Sequence, residues 1–201
     1  MFPSKIVQIH RDRVKPGHEP TYRAVEEEAA RMCVEHGCPH PHLAIESLAG
    51  PTEVWWLNAF ESEADRQRVV DAYRGNAALT AALADIRTRR QGLLDMDVDV
   101  FAQFKPELSR GQQWQIAGSR FIRVTMTTDD DLPPGTVFED ASGTRYVFTP
   151  MASGEVVSAA ASPPDEHTIV FAVRPYWGMP AREWIAADAE FWRPSPVASL
   201  K

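Results

Sequence analysis

The stretch Glu53-Val54-Trp55-Trp56-Leu57-Asn58-Ala59-Phe60 decides the fold. Its β-branched and aromatic residues predict a strand, and successive side chains along a strand point to opposite faces of a sheet. Trp55 and Trp56 therefore face opposite ways, so both sides of this sheet bury a large aromatic. Upstream, the Ala49-Gly50-Pro51 turn links this strand to another over residues 42–48, giving a hairpin. Downstream, Ser62 followed by Asp65 reads as a capping-box-like helix start, since the hydroxyl can accept from an otherwise unpaired amide. Val69, Val70 and Tyr73, then Leu79, Leu83, Ile86 and Leu93, continue at helical spacing. Arg74-Gly75-Asn76 interrupts the pattern, which predicts two helices or one kinked helix.

Working outward, residues 6–14 alternate as a strand and stop at Lys15-Pro16-Gly17. A helix follows, with Pro20 in its first turn, Tyr22, Val25, Ala29, Met32 and Cys33 on its apolar face, and Gly37 as its stop. Residues 98–104 form a fourth strand. The order β-α-β-β-α-β over the first hundred or so residues is the split βαβ, ferredoxin-like unit, an α+β arrangement with both helices on one face of an antiparallel sheet.

The run from Glu53 to Ala64 resembles the third strand and second helix of the dimeric α/β-barrel superfamily, which includes antibiotic-biosynthesis monooxygenases and stress-responsive barrel proteins. The resemblance covers Lys5 to Lys105. It implies two sheets facing one another across a dimer or a tandem repeat and enclosing a cavity, which accounts for two-sided burial at Trp55 and Trp56. The second half contains strand signals over residues 121–127, 136–139, 144–149 and 168–173, and a short helix over residues 180–188. Where a repeat needs its first helix there is instead Asp129-Asp130-Asp131-Leu132-Pro133-Pro134. A tandem barrel is therefore not expected. The expected organisation is a barrel unit over residues 1–107 that closes by homodimerisation, with a β-rich extension over residues 108–201.

A net charge of -7 and a pI near 5.4 count against nucleic acid and anionic membranes as partners, because both are met by clustered Lys and Arg. No stretch approaches the roughly 20 apolar residues of a membrane span. The N-terminal residues show no signal-like segment, and a cytoplasmic protein is expected.

Strand parity sorts the side chains into two sets. Val7, Ile9, Leu43, Ile45, Trp55, Leu57, Ala59, Val98, Val100, Ala102 and Phe104 form an apolar set, expected beneath the helices. Gln8, His10, Asp12, His42, Ala44, Glu46, Val54, Trp56, Asn58, Phe60, Asp99, Phe101 and Gln103 form a mixed set, expected to face the cavity. Aromatic walls with a few polar groups suit a small-molecule pocket, and a His with a carboxylate nearby suits acid–base work near neutral pH. His10 and Glu46 are the candidate catalytic residues; Gln8, His42, Trp56, Asn58, Phe60, Phe101 and Gln103 are the candidate substrate contacts. The same polar face also reads as a hydrated dimer interface.

Metal is not expected. The turn Cys33-x2-His36-x-Cys38-x-His40-x-His42 holds suitable ligand types at a spacing that matches no standard site, and a buried Cys33 reads as a small hydrophobe. Asp95, Asp97 and Asp99 lack the glycine and later Glu of a calcium loop, so they read as a solvated strand start.

The heme-degrading branch of the resembling family carries its axial His on the second helix, and residues 62–94 contain none, so no cofactor is expected. The family's cofactor-free oxygenases use a cavity Trp and Asn, for which Trp56 and Asn58 have the required parity. Its cyclases and isomerases use a cavity His, a role His10 could fill. The expected function is binding, with oxygenase, cyclase or isomerase chemistry, of an aromatic or polyketide-like molecule. The alternative is a non-catalytic barrel dimer. The segment from Phe171 to Pro180 reads either as packing or as a lid in which Arg174 and Tyr176 meet an acidic group.

Overall fold

The computed structural model describes residues 5–111, 119–153, 155–156 and 167–192, and Trp114 lies outside them. Strand β1 spans Ile6–Val14 and helix α1 Glu19–His36, with Pro20 in its first turn and Gly37 as a left-handed stop at φ 74°. Strands β2 (Leu43–Ser47) and β3 (Glu53–Phe60) form the hairpin. The helical region is two helices, α2 (Glu63–Gly75) and α3 (Ala77–Gly92). Ser62 Oγ accepts from the Asp65 amide to start the first, and Asn76 Oδ1 accepts from the Leu79 amide to start the second. Strand β4, Leu94–Phe104, starts earlier than its β-branched run because its backbone pairs with β1 as far as Leu94↔Val14.

The second half contributes β5 (Phe121–Thr127), β6 (Thr136–Asp140), β7 (Arg145–Met151), β8 (Thr168–Val173) and a short helix α4 (Arg182–Ala187). All eight strands form one closed antiparallel barrel in the order β1-β3-β2-β8-β5-β7-β6-β4. Closure removes the exposed sheet edges that each half would present alone.

The first half runs β4-β1-β3-β2 across the wall and the second runs β8-β5-β7-β6. Numbering each half's strands from one, both follow the order 4-1-3-2. The joints are equivalent too, because in each the second strand of one half meets the fourth strand of the other, β2 with β8 and β6 with β4. This corrects the expectation that a second copy of the chain closes the barrel. The acidic, proline-containing loop from Asp129 to Pro134 carries the chain from β5 to β6 where the first half uses α1, so the strand plan repeats without that helix.

Parity grouped the side chains as expected, but the two sides are exchanged. Val7, Ile9, Leu43, Ile45, Trp55, Leu57 and Ala102 point into the barrel, where they pack against Ile122, Val124, Phe138, Tyr146, Phe148 and Phe171. The Trp55 ring lies 4.9 Å from Phe171 and 6.4 Å from Tyr146, so aromatic contacts fill the interior. Trp55 Nε1 donates to Glu53 Oε2 at 2.8 Å, and Arg11 and Arg13 also donate to that carboxylate. Ala44, Val54 and Trp56 lie on the outer side with Tyr22 of α1 and Trp177. The physical reason is closure: the more apolar face lines the interior, while the helix-covered face holds the buried carboxylates Asp12, Glu26 and Glu46.

Candidate functional site

Strand β1 runs between β3 and β4, and its register fixes the outer patch. Gln8 lies between Asn58 and Phe101, His10 between Trp56 and Asp99, and Asp12 between Val54 and Asp97. Ala44 pairs beyond Trp56, and Glu46 beyond Val54. The residues expected as a site thus share one face of the sheet. That face is the outer, helix-side one, not the barrel interior.

Around His10 the structure adds groups from the helices. Tyr22 Oη, from α1, donates to Asp12 Oδ2 at 2.7 Å. Glu26, one turn further along α1, is buried. Arg90, from the last turn of α3, places Nη2 3.3 Å from His10 Nε2, Nε 3.7 Å from Asp12 Oδ2 and Nη1 3.9 Å from Glu26 Oε1. His10 Nε2 is also 3.1 Å from the buried Asp12 Oδ1 and 3.5 Å from Asp97 Oδ1, while Nδ1 is 3.2 Å from Asp99 Oδ1. The His10 side chain is 15% exposed, so this ring meets carboxylates on both nitrogens with little water between.

The charges decide its protonation. Burial works against the imidazolium, but the hydrogen bond and charge of Asp12 outweigh it; Arg90 opposes and Asp99 assists, so the ring's pKa lies above its ordinary value. Burial also pushes the Glu26 carboxyl up to about 7, with Asp12 adding to the rise and Arg90 opposing it. Both groups thus hold their protons more tightly than the free side chains do. When His10 is charged, Nδ1–H donates to Asp99 Oδ1 and Nε2 forms an ion pair with Asp12 Oδ1. When it is neutral with the proton on Nδ1, Nε2 can accept from Arg90. The ring therefore has a partner in either state, which suits a group that must gain and lose a proton.

His10, Asp12 and Asp97 also bring three ligand-type atoms within 4.8 Å of one another, a donor set that could hold a divalent cation. The Arg90 guanidinium already supplies positive charge against His10 Nε2.

Glu46 is placed differently from its expected partnership with His10. It lies on β2, two strands from β1, and is gripped by Arg23 (Nη2 to Oε1, 2.8 Å) and Arg174 (Nε to Oε2, 2.6 Å). The carboxylates beside His10 are instead Asp12, Asp97 and Asp99. His42 packs its ring 5.7 Å from Trp56, and Phe60 stacks on His40 at 4.7 Å. Phe101 is 45% exposed beneath the Arg66 guanidinium, and Gln103 is exposed beside it. Gln8 Nε2 donates to Asp99 Oδ1. In the segment expected as packing or lid, Trp177 packs edge-on to Tyr22 and Arg174 is committed to Glu46, whereas Tyr176 is exposed.

Asp12 and Asp99 were legible by parity with His10. Asp97 shares that parity but reads from sequence as strand-start solvation. Tyr22, Glu26 and Arg90 had no such signal, because only helix docking brings α1 and α3 over β1.

No protein-family model matches the chain, and no curated protein is similar to it in sequence. Several solved structures align with it in part or over most of its length. A monooxygenase-like protein from Fusobacterium nucleatum is 10% identical, with 86% of this chain and 94% of that one covered and a TM-score of 0.49. A NIPSNAP family protein from Agrobacterium tumefaciens is 22% identical, with 53% and 96% covered and a TM-score of 0.38. A chlorite dismutase from Candidatus Nitrospira defluvii is 11% identical, with 87% and 92% covered and a TM-score of 0.44. At these identities and TM-scores the likeness says nothing of this chain's activity.

Proposed function

We propose that this chain is a small-molecule enzyme of the acid–base type, with His10 moving the proton and the outer face around β1 and β4 taking the ligand. The observation that carries this reading is the His10 ring held between Asp99 on one nitrogen and Asp12, Asp97 and Arg90 on the other. Beside it, the half-exposed Phe101 ring and the amides of Gln8, Asn58 and Gln103 offer an aromatic surface with polar groups for orientation. Such a surface suits an aromatic or polyketide-like molecule with an acidic C–H next to a carbonyl. Removal of that proton is the first step shared by isomerase, cyclase and cofactor-independent oxygenase chemistry. Trp56 and His42 would line the inner end of the site, and the Glu46 carboxylate, fixed by two arginines, would position rather than carry protons.

The test is hydrogen–deuterium exchange at the acidic C–H of a panel of aryl 1,3-diketones, followed by NMR. Catalysed exchange by the native chain that His10→Gln abolishes while ligand binding persists supports the reading; equal exchange in both proteins overturns it. The alternative, a non-catalytic barrel in which the His10 network only ties α1 and α3 to the wall, predicts that His10→Gln lowers stability and that no exchange is catalysed. The homodimer expected from sequence would have to use an outer surface, since the barrel closes within one chain, and sedimentation equilibrium tests it.

A further inference from the structure

Helix α1 ends in a way that folds Cys38 back over Cys33. Gly37 is left-handed, and the backbone amides of both Gly37 and Cys38 reach the Cys33 carbonyl, the latter at 2.8 Å. Helix ends with this six-to-one bond bring the side chains of the two bonded residues together. Here both are free cysteines, Cys33 buried and Cys38 half-buried, and the helix end sets their side chains next to one another. The Cys38 sulfur is also met from α2, where Tyr73 Oη lies 2.6 Å from Sγ and either atom can be the donor, so the phenol O–H can donate once the sulfur is a thiolate. Asn76 Nδ2, donating to the His36 carbonyl at 2.8 Å, fastens this helix end to the α2–α3 junction.

We propose that Cys33 and Cys38 form a redox-active dithiol that reduces a hydroperoxide, with Cys38 as the attacking sulfur and Cys33 as the resolving one. The Cys38 thiolate attacks a peroxide oxygen, the O–O bond breaks, and the alkoxide leaves as an alcohol after taking up a proton. Sulfur is oxidised by two electrons to sulfenic acid and the peroxide is reduced. Cys33 then attacks the sulfenic sulfur. The S–S bond forms, the S–O bond breaks, and hydroxide leaves as water with the Cys33 proton. In total, two thiols and one hydroperoxide give one disulfide, one alcohol and one water.

The surroundings divide these roles. Hydrogen bonding from Cys33 favours the Cys38 thiolate against its burial, and His42 and Tyr73 favour it further, drawing its pKa well below the usual thiol range. Cys33 is pushed the other way, first by its bond to Cys38 and then by burial. Half-burial leaves Cys38 within reach of a small peroxide while the interior position of Cys33 shields it. None of these steps involves His10.

The experiment treats the full reduced chain with tert-butyl hydroperoxide and follows intact mass and peptide maps. The expected product has lost two hydrogens and carries a Cys33–Cys38 disulfide that dithiothreitol reverses. Cys33→Ser should stop at a dimedone-trappable sulfenic acid on Cys38, Cys38→Ser should lose the rapid reaction, and Tyr73→Phe should slow it. Without any mutation, limited iodoacetamide below neutral pH should label Cys38 ahead of Cys33. Equal labelling of the two cysteines, oxidation of Cys38 directly to sulfinic acid in the native chain, or rapid reaction surviving Cys38→Ser would each overturn the proposal.

Discussion

Tyr22 Oη donates a 2.7 Å hydrogen bond to Asp12 Oδ2, and both residues are buried. The bond ties α1 to β1 and holds an anion in a place where water cannot. A hydrogen bond to a charged group contributes about 1.5–3 kcal/mol, and more is lost when the remaining partner stays buried. Tyr22→Phe keeps the ring against Trp177 and removes only the donor. It is expected to lower stability by about 2 kcal/mol, read as a lower urea midpoint with an unchanged slope.

His10 and Glu26 give stability the same pH dependence. Each binds its proton more tightly in the folded chain than in the unfolded one. For His10 the stabilisation is full below its unfolded value of about 6.5 and is lost as pH rises through the higher folded value. For Glu26 the loss begins near its ordinary carboxyl range and is complete beyond the folded value of about 7. Urea midpoints should therefore fall steadily from pH 5 to pH 8, and Glu26→Gln should flatten the lower part of that fall. A His10 ring that titrates by NMR at or below its ordinary value would contradict the assignment.

Removing the second half should leave two bare edges. Ile45, Glu46 and Ser47 of β2 pair with β8, and Ala102, Gln103 and Phe104 of β4 pair with β6. A chain cut after residue 107 would expose both edges and the apolar inner face, which favours association with further copies. Multi-angle light scattering should find the fragment associated or aggregated. A stable monomeric fragment would show that the first half does not depend on its barrel partner.

Gly178 sits where no side chain fits. A Cβ there would lie 2.4 Å from the His42 carbonyl oxygen, between the paired His42–Met179 bonds of 3.0 Å. Forcing an overpacked contact costs about 1–3 kcal/mol. Gly178→Ala should lower stability by that order and speed hydrogen exchange at the His42 and Met179 amides, whereas Gly143→Ala, in an open turn, should leave those amides unchanged.

Much of the local structure was legible because its causes are local. Ser62 and Asn76 cap their helices with their own side chains, Gly37 ends α1 in a conformation that glycine adopts without strain, and the Asp140-to-Thr144 turn is held by hydrogen bonds to Asp140 Oδ1. The β5–β8 strands were legible by the same alternation. Their partners were not, because strand pairing joins residues far apart in the chain. Without a helix in the Asp129–Pro134 loop, the second half did not look like a repeat, although its strands follow the same spatial order as the first.

The opposite orientations of Trp55 and Trp56 were determined by sequence alone, since adjacent residues on a strand cannot share a face. So was the grouping of Gln8, His10 and Asp12 with Asn58, Asp99 and Phe101. Only the tertiary structure decided which face is which. Alternation reports parity but carries no sign, and the sign was set when eight strands of one chain closed around Trp55 and left His10 beneath α1 and α3.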